Sequence, residues 1–443
     1  MIWIELGILL ACILVGARLG GIALGSVAGI GLGIFVFLFG LPPGGPPQAV
    51  IGMIIAVITA LATMQAAGGL DYLIAIAERV MRRHPQYITF IAPAVTYILI
   101  FASGTTHVIY ALLPVIAEIS RKAGVRPERP LSISVIAGFQ GVLASPISAV
   151  TVAMIGILAG QNISLPRLLA ITIPSTFLAV MVGALSVAWR GKELKDDPEY
   201  QRRLATGALK SCDTAVALSG KDLLNARGSM LLFLIGIALV VLIGLFPSLR
   251  PVYQTNVAGM ADTDQVSMGM AIMIIMIAIS GITMVVFKAS PETTLKGAVM
   301  RSGIVAMISI IGVSWLGSSF FEGNRTLIVN GVSGLIEIYP WAFAVGLFIL
   351  STMLFSAAAT VVMLMPVGLA LGLPSSLLMA FYPAANSVFF LPTYGTLLAA
   401  VSFDQTGTTR IGKYLLNHSF MLPGLVTTVT AVGIALLLGT FLS

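Results

Sequence analysis

Long apolar runs separated by short polar connectors govern this chain from end to end. Runs at 2–16, 21–40 and 49–66 predict three membrane-crossing helices, because about 20 apolar residues span the hydrocarbon of a bilayer. The second carries Gly21, Gly25, Gly29 and Gly33, a small-residue ridge that lets another helix come close. Leu41-Pro-Pro-Gly-Gly-Pro-Pro47 then forms a rigid uncharged connector, and 69–84 mixes apolar and charged positions as a helix lying on the membrane surface does. The next run, 87–119, is 33 residues long and bounded on both sides by Arg and Lys. Two full crossings need about 40 residues, so a re-entrant hairpin with its tip at Ser103-Gly-Thr-Thr-His107 fits better. A crossing at 131–158 and another at 165–189 complete the first half.

Residues 190–227 form the long polar segment, with eight Lys or Arg and six Asp or Glu, and read as a solvated linker. Spans at 229–246, 268–287 and 299–317 follow, then a surface segment, Ser318 to Tyr339. A second hairpin-like run, 340–373, centres on Ser356-Ala-Ala-Ala-Thr360; a crossing at 376–402, a polar loop over 404–413 and a last span at 415–441 end the chain.

The two halves therefore repeat, and matching breaks reinforce this. Gln140-Gly-Val-Leu-Ala-Ser-Pro-Ile-Ser148 and Asn386-Ser-Val-Phe-Phe-Leu-Pro-Thr-Tyr394 each place a carboxamide six residues before a proline, inside an apolar crossing. Pro146 and Pro392 each remove a backbone donor and clash with the preceding turn, so both helices must break. The expected fold is an all-α polytopic membrane protein of two inverted-topology repeats, each with about five spans, one re-entrant hairpin and one broken helix. The repeats occupy 1–189 and 229–443, with spans 1–66 and 229–317 as scaffold and 190–228 as linker. Each half crosses an odd number of times, so the second enters upside down. If the linker is cytoplasmic, 21 of the 24 Lys and Arg lie inside and only Arg167, Arg250 and Arg325 outside, with both termini periplasmic.

Composition agrees. Hydrophobic residues make up 58% and charged residues 9%, against roughly a quarter charged in soluble domains, and the mean hydropathy is +1.03. The net charge of +7 does not imply nucleic acid, since the basic residues sit in short loops without interleaved aromatics. Cys12 and Cys212 form neither a disulfide framework nor a metal-ligand spacing, and no metal site is expected. His-Glu-x-x-His, Gly-x-Ser-x-Gly and paired intramembrane aspartates are all missing, which argues against a membrane enzyme.

Two hairpin tips and two breaks converging near the midplane present half-helix N-termini with partial positive charge, a site that favours small anions. The candidate binding residues are Ser103, Gly104, Thr105, Thr106, His107, Gln140, Ser145, Pro146, Ser148, Ser356, Thr360, Asn386, Ser387, Pro392, Thr393, Tyr394 and Thr396. The four tips hold no Arg or Lys, so carboxylates would be held by neutral donors and dipoles. Two facing anion sites suit a short molecule with a carboxylate at each end. Hydroxyls, carboxamides and carbonyls at breaks also suit sodium, so a sodium- or proton-coupled symporter stands beside an exchanger; no organic cofactor is expected. Asp404 and Arg410 are candidates for gating or coupling, beside the plainer role of ending helices. Singly, Ser and Thr in membrane helices most often bond back to their own helix, and His107 fits a capped neutral histidine as well as a functional one.

The chain resembles the Dcu family of anaerobic four-carbon dicarboxylate transporters, members of the wider ion-transporter superfamily. The likeness runs through Gly16-Ala-Arg-Leu-Gly-Gly-Ile22, Met64-Gln-Ala-Ala-Gly-Gly-Leu-Asp-Tyr72, Leu113-Pro-Val-Ile-Ala-Glu118, Ala144-Ser-Pro-Ile-Ser-Ala149 and Thr406-Gly-Thr-Thr-Arg-Ile-Gly-Lys413. It implies exchange of fumarate, malate or aspartate for succinate across a bacterial inner membrane by a homodimeric elevator. A sensor protein as a further partner is a reading that no residue pattern addresses.

Overall fold

The computed structural model describes residues 1–441 apart from 20–21, 47, 162, 207–220, 258–259, 355, 393 and 412–416. Cys212 and Lys413 therefore lie outside the described residues. In order, the helices are α1 (Ile2–Leu19), α2 (Ala23–Gly33, continued by a π-helical turn Ile34–Leu38), α3 (Gln48–Ala66), α4 (Gly69–Arg83), α5 (Ile88–Ser103), α6 (Ile109–Lys122), α7 (Glu128–Ala144), α8 (Ala149–Leu158) and α9 (Leu165–Ala188). After α10 (Pro198–Ala205) come α11 (Lys221–Leu245), α12 (Met268–Val286), α13 (Pro291–Lys296), α14 (Ala298–Ile338), α15 (Trp341–Leu354), α16 (Ala357–Ala370), α17 (Ser375–Phe381), α18 (Gly395–Phe403) and α19 (Met421–Phe441). Among the described residues, seven helical segments are long and apolar enough to cross a membrane, or eight if the bent pair α3 and α4 counts as one.

The first hairpin turns where expected. Gly104, with φ at +69°, ends α5 in the left-handed conformation that glycine adopts without steric cost. A 3-10 turn at Thr106–Val108 leads into α6. Although Pro85–Ser103 has the length of a span, the chain returns: Arg82, before α5, lies 3.6 Å from Glu118 near the end of α6. The bend into α4 is 74°, at Gly68 with φ at +79°. Both proline breaks are present, between α7 and α8 over 145–148, and over 386–392 before α18.

Helix partners alternate between the halves. Helix α2 packs on α1 and α14, while α12 packs on α11 and α3. Helix α6 packs on α18, α8 on α16, and the last spans α9 and α19 pack on one another. The α2–α14 crossing is backbone on backbone: a methyl on Gly25 would stand 2.1 Å from the Ile308 carbonyl oxygen, and one on Gly312 would stand 2.1 Å from the Gly25 oxygen. Of the expected ridge, Gly29 and Gly33 face open space and Gly21 lies outside the described residues, so the close approach rests on one glycine.

Three expectations need correction. Residues 318–339 are not a separate surface segment; α14 runs 41 residues without a break, about 60 Å at 1.5 Å per residue. Two of its polar residues have buried partners, while Glu322 and Arg325 stay exposed. Asn324 donates to Glu5 of α1 at 2.5 Å, and Ser319 accepts the Gly44 N–H at 2.9 Å. The linker is not solvated throughout either. Asp197 bonds the buried Arg126 at 2.5 Å, Arg203 reaches the Gln405 carbonyl at 3.0 Å, and the helix of the next span already begins at Lys221. The last span starts at Met421 rather than 415, after an Ile411–His418 bridge closes the loop. An antiparallel hairpin, β1 (Val252–Val257) with β2 (Met260–Gln265), joins α11 to α12 and had no counterpart in the apolar pattern.

Candidate functional site

Both breaks and both hairpins meet in the interior. Ile147 of the first break packs within 3.0 Å of where a Gly104 methyl would stand, which brings the first tip onto the first break. Asn386 of the second break donates its Nδ2 to the Phe139 carbonyl at 2.5 Å, beside Gln140. The two carboxamides expected from sequence thus belong to one cluster, though 246 positions separate them. Ser387 donates to the Phe348 carbonyl at 2.5 Å, and its N–H bonds the Ser351 Oγ at 3.1 Å, so the second break is tied to α15 of the second hairpin. Tyr394 closes the ring, with its hydroxyl bonded to Thr106 of the first tip and its ring edge-on to Phe139 at 5.5 Å.

Polar groups here divide into satisfied and unsatisfied sets. Ser148 caps α8, accepting the Thr151 N–H at 3.2 Å. Ser356 caps α16 through the Ala359 N–H at 3.2 Å, and Thr360 bonds back to the Ser356 carbonyl at 2.8 Å. Ser103 stays within its own turn, 3.4 Å from the Ile100 carbonyl. By contrast, both side-chain polar atoms of Gln140, the Ser145 Oγ and the Thr396 Oγ1 are buried and have no partner among the described residues. Leaving such groups unpaired costs about 1–3 kcal/mol each, so a partner would stabilise these atoms, as it would others elsewhere in the helical body such as Thr96 and Thr427. Pro146 and Pro392 are buried at the breaks; Thr105 and Thr106 are half-buried at the tip. Thr393 and the His107 side chain lie outside the described residues.

Sequence reasoning missed Thr151 and Tyr382. The fully buried Tyr382 hydroxyl lies 3.1 Å from the Thr151 Oγ1. Thr151 also accepts from Ser148 at 2.9 Å and gives its own proton to the Leu143 carbonyl at 3.0 Å, so Tyr382 is the donor. Only the Ser148-x-x-Thr151 capping spacing hinted at this; nothing local points to Tyr382.

Asp404 and Arg410 do not join the cluster. The Asp404 carboxylate accepts from the Thr406 and Thr409 N–H groups at 2.9 and 2.6 Å and from the Thr406 and Thr408 hydroxyls at 2.5 and 2.9 Å, which folds its loop. Arg410 is exposed, and its N–H bonds Ser419 at 3.0 Å. That loop belongs to a buried charge network: Ser419 donates to Glu128 at 2.8 Å, and Glu128 and Asp197 both hold Arg126. Burial pushes the Asp197 carboxyl up, but the Tyr200 N–H, the Arg126 guanidinium and the Glu199 N–H outweigh it and hold the carboxyl below its ordinary value. His418 moves down, chiefly through burial, against the Phe390 carbonyl that its ring faces at 3.2 Å.

A polar cluster at paired helix breaks inside an apolar helical body is transporter architecture. The family model described as anaerobic C4-dicarboxylate membrane transporter matches residues 1–443. The chain belongs to that family. Family members are membrane transporters and not enzymes, and this multi-pass protein is one of them. Among its relatives, the C4-dicarboxylate transporter DcuA of Escherichia coli (strain K12) is 40% identical over 449 residues, covering 100% of each chain. DcuA of Wolinella succinogenes is 40% identical over 444 residues, and the anaerobic C4-dicarboxylate transporter DcuB of Escherichia coli O6:H1 is 38% identical over 431, covering 96% of this chain and 95% of the other. Two solved structures share the fold: the efflux pump MtrF of Neisseria gonorrhoeae (TM-score 0.56, 12% identity, 86% of this chain and 80% of the other) and the YdaH transporter of Alcanivorax borkumensis (TM-score 0.57, 15% identity, 89% and 85%).

Proposed function

We propose that this protein exchanges four-carbon dicarboxylates, taking in fumarate, malate or aspartate and releasing succinate, across a bacterial inner membrane. The observation that carries this is the set of buried, unpartnered neutral groups, Gln140, Ser145 and Thr396, where the two breaks meet. Neutral donors hold carboxylates without the deep well that a paired Arg or Lys creates, and a carrier must release what it binds. Family membership supports the substrate class.

Alternating access by two inverted repeats, 1–189 and 229–443, gives such a site two faces. The exchanged packing of α2 on α14 and of α12 on α3, repeated by α6 on α18 and α8 on α16, supports that symmetry. In this reading the hairpins and broken helices move as an elevator against scaffold spans 1–66 and 229–317 in each subunit of a homodimer. Both termini face the periplasm. The charged loop 121–129, the stretch 190–203, and the residues Gln405 and Ser419 are joined by hydrogen bonds and an ion pair at one end of the molecule, which supports a cytoplasmic face rich in Lys and Arg.

Proteoliposomes loaded with succinate take up labelled fumarate on this reading, and unloaded vesicles hardly at all. Equal uptake without internal substrate refutes exchange, and a sodium or proton requirement in that assay identifies a symporter of the same fold.

A further inference from the structure

The four half-helices that begin at the tips are not equivalent. Helices α8 and α16 have their first N–H groups bonded by Ser148 and Ser356, and α6 continues out of a 3-10 turn. Helix α18 begins directly after the second break, and its N-cap residue Tyr394 offers no side-chain cap. The first N–H groups of a helix have no helical partner; here Leu397 turns back to the Tyr394 carbonyl at 3.0 Å, while no side-chain cap among the described residues takes those of Gly395 and Thr396. In that first turn stands Thr396, only 2% exposed, with its Oγ1 unpartnered among the described residues. Over the same turn lies Tyr110 of α6: a methyl on Gly395 would come 2.5 Å from the Tyr110 Oη, so glycine is what admits the hydroxyl. Tyr110 is 38% exposed, so the first turn of α18 has one accessible hydroxyl over it and one buried hydroxyl within it.

We infer that Tyr110 is a specificity residue: its hydroxyl, the Thr396 hydroxyl and the uncapped first turn of α18 together take one carboxylate of the substrate. Resting on the dicarboxylate reading above, this places one end of the diacid at α18 and leaves Gln140 and Ser145 for the other. Three neutral donors converge on two oxygens, and Tyr110 adds a hydrogen bond to a charged acceptor. Such bonds are about twice as strong as neutral ones.

The test compares wild type, Tyr110→Phe, Gly395→Ala and the double variant in succinate-loaded vesicles. Tyr110→Phe keeps the ring and raises the KM for fumarate about tenfold, with the maximal rate within about twofold. Gly395→Ala pushes the hydroxyl away and raises KM similarly. In the double variant the added methyl no longer meets an oxygen, so the loss does not exceed that of Tyr110→Phe alone. Thr396→Val weakens fumarate binding and Thr396→Ser restores it. An unchanged KM in Tyr110→Phe, or losses that simply multiply in the double variant, overturns the inference. If wild type exchanges no dicarboxylate, the functional reading falls by itself, and fumarate-dependent thermal stabilisation then decides: stabilised wild type beside unstabilised Tyr110→Phe upholds the carboxylate subsite, and equal responses reject it.

Discussion

The bond between Tyr382 and Thr151 is the sharpest place to test how the two breaks are joined. Removing the tyrosine hydroxyl in Tyr382→Phe deletes one neutral hydrogen bond, and Thr151 keeps its bonds to Ser148 and Leu143. The cost should be about 1 kcal/mol. Thr151→Val is worse. It deletes the same bond, frees the Leu143 carbonyl, takes the acceptor from the Ser148 hydroxyl, and strands the Tyr382 hydroxyl on a side chain with no exposed surface, an unsatisfied buried donor that adds about 1–3 kcal/mol. Combining both substitutions removes the stranded hydroxyl, so the double variant should cost less than the sum of the singles, with a coupling of about 1 kcal/mol. Thermal unfolding of the four purified proteins in one detergent measures the cycle, and uptake in vesicles reports on function. A strictly additive cycle, or Thr151→Val no worse than Tyr382→Phe, refutes the claim that this bond joins the halves.

Other outcomes follow from single contacts. Gly25→Ala sets a methyl against backbone at 2.1 Å and should destabilise by about 1–3 kcal/mol, whereas Gly29→Ala, with open space around it, should stay within about 0.5 kcal/mol of wild type in the same unfolding assay. Asp197→Asn removes one of the two carboxylates on buried Arg126 and should cost about 2 kcal/mol. Because the folded state holds the Asp197 carboxyl below its ordinary value, its stabilisation is complete above that value and fades as pH falls through it. The acid limb of the wild-type stability profile should therefore flatten in Asp197→Asn. His418 is also shifted down, so its contribution is complete above the ordinary imidazole value and lost below it; His418→Gln should remove the stability loss between that value and the carboxylate range.

Much of the chain is legible because its constraints are local. Apolar length sets the spans; Gly104 must turn where a left-handed residue is needed; Pro146 and Pro392 break their helices wherever those helices sit. The candidate cluster at the breaks follows from the same rule, and Gln140, Ser145, Asn386 and Thr396 all lie there. What failed depended on partners far away in the chain. Glu322, Asn324 and Arg325 look like a surface segment until Glu5, 319 positions earlier, takes the Asn324 amide and lets α14 continue. The linker looks solvated until Arg126, 71 positions away, takes Asp197. Tyr382 carries no local signal at all, since its role exists only once Thr151 is beside it. Sequence decided where the chain turns at Gly104 and breaks beside Pro146 and Pro392, because backbone sterics act on neighbouring residues. Tertiary structure decided which polar groups are satisfied by each other and which have no partner among the described residues, because a hydrogen bond depends on distances in space that spacing along the chain does not fix.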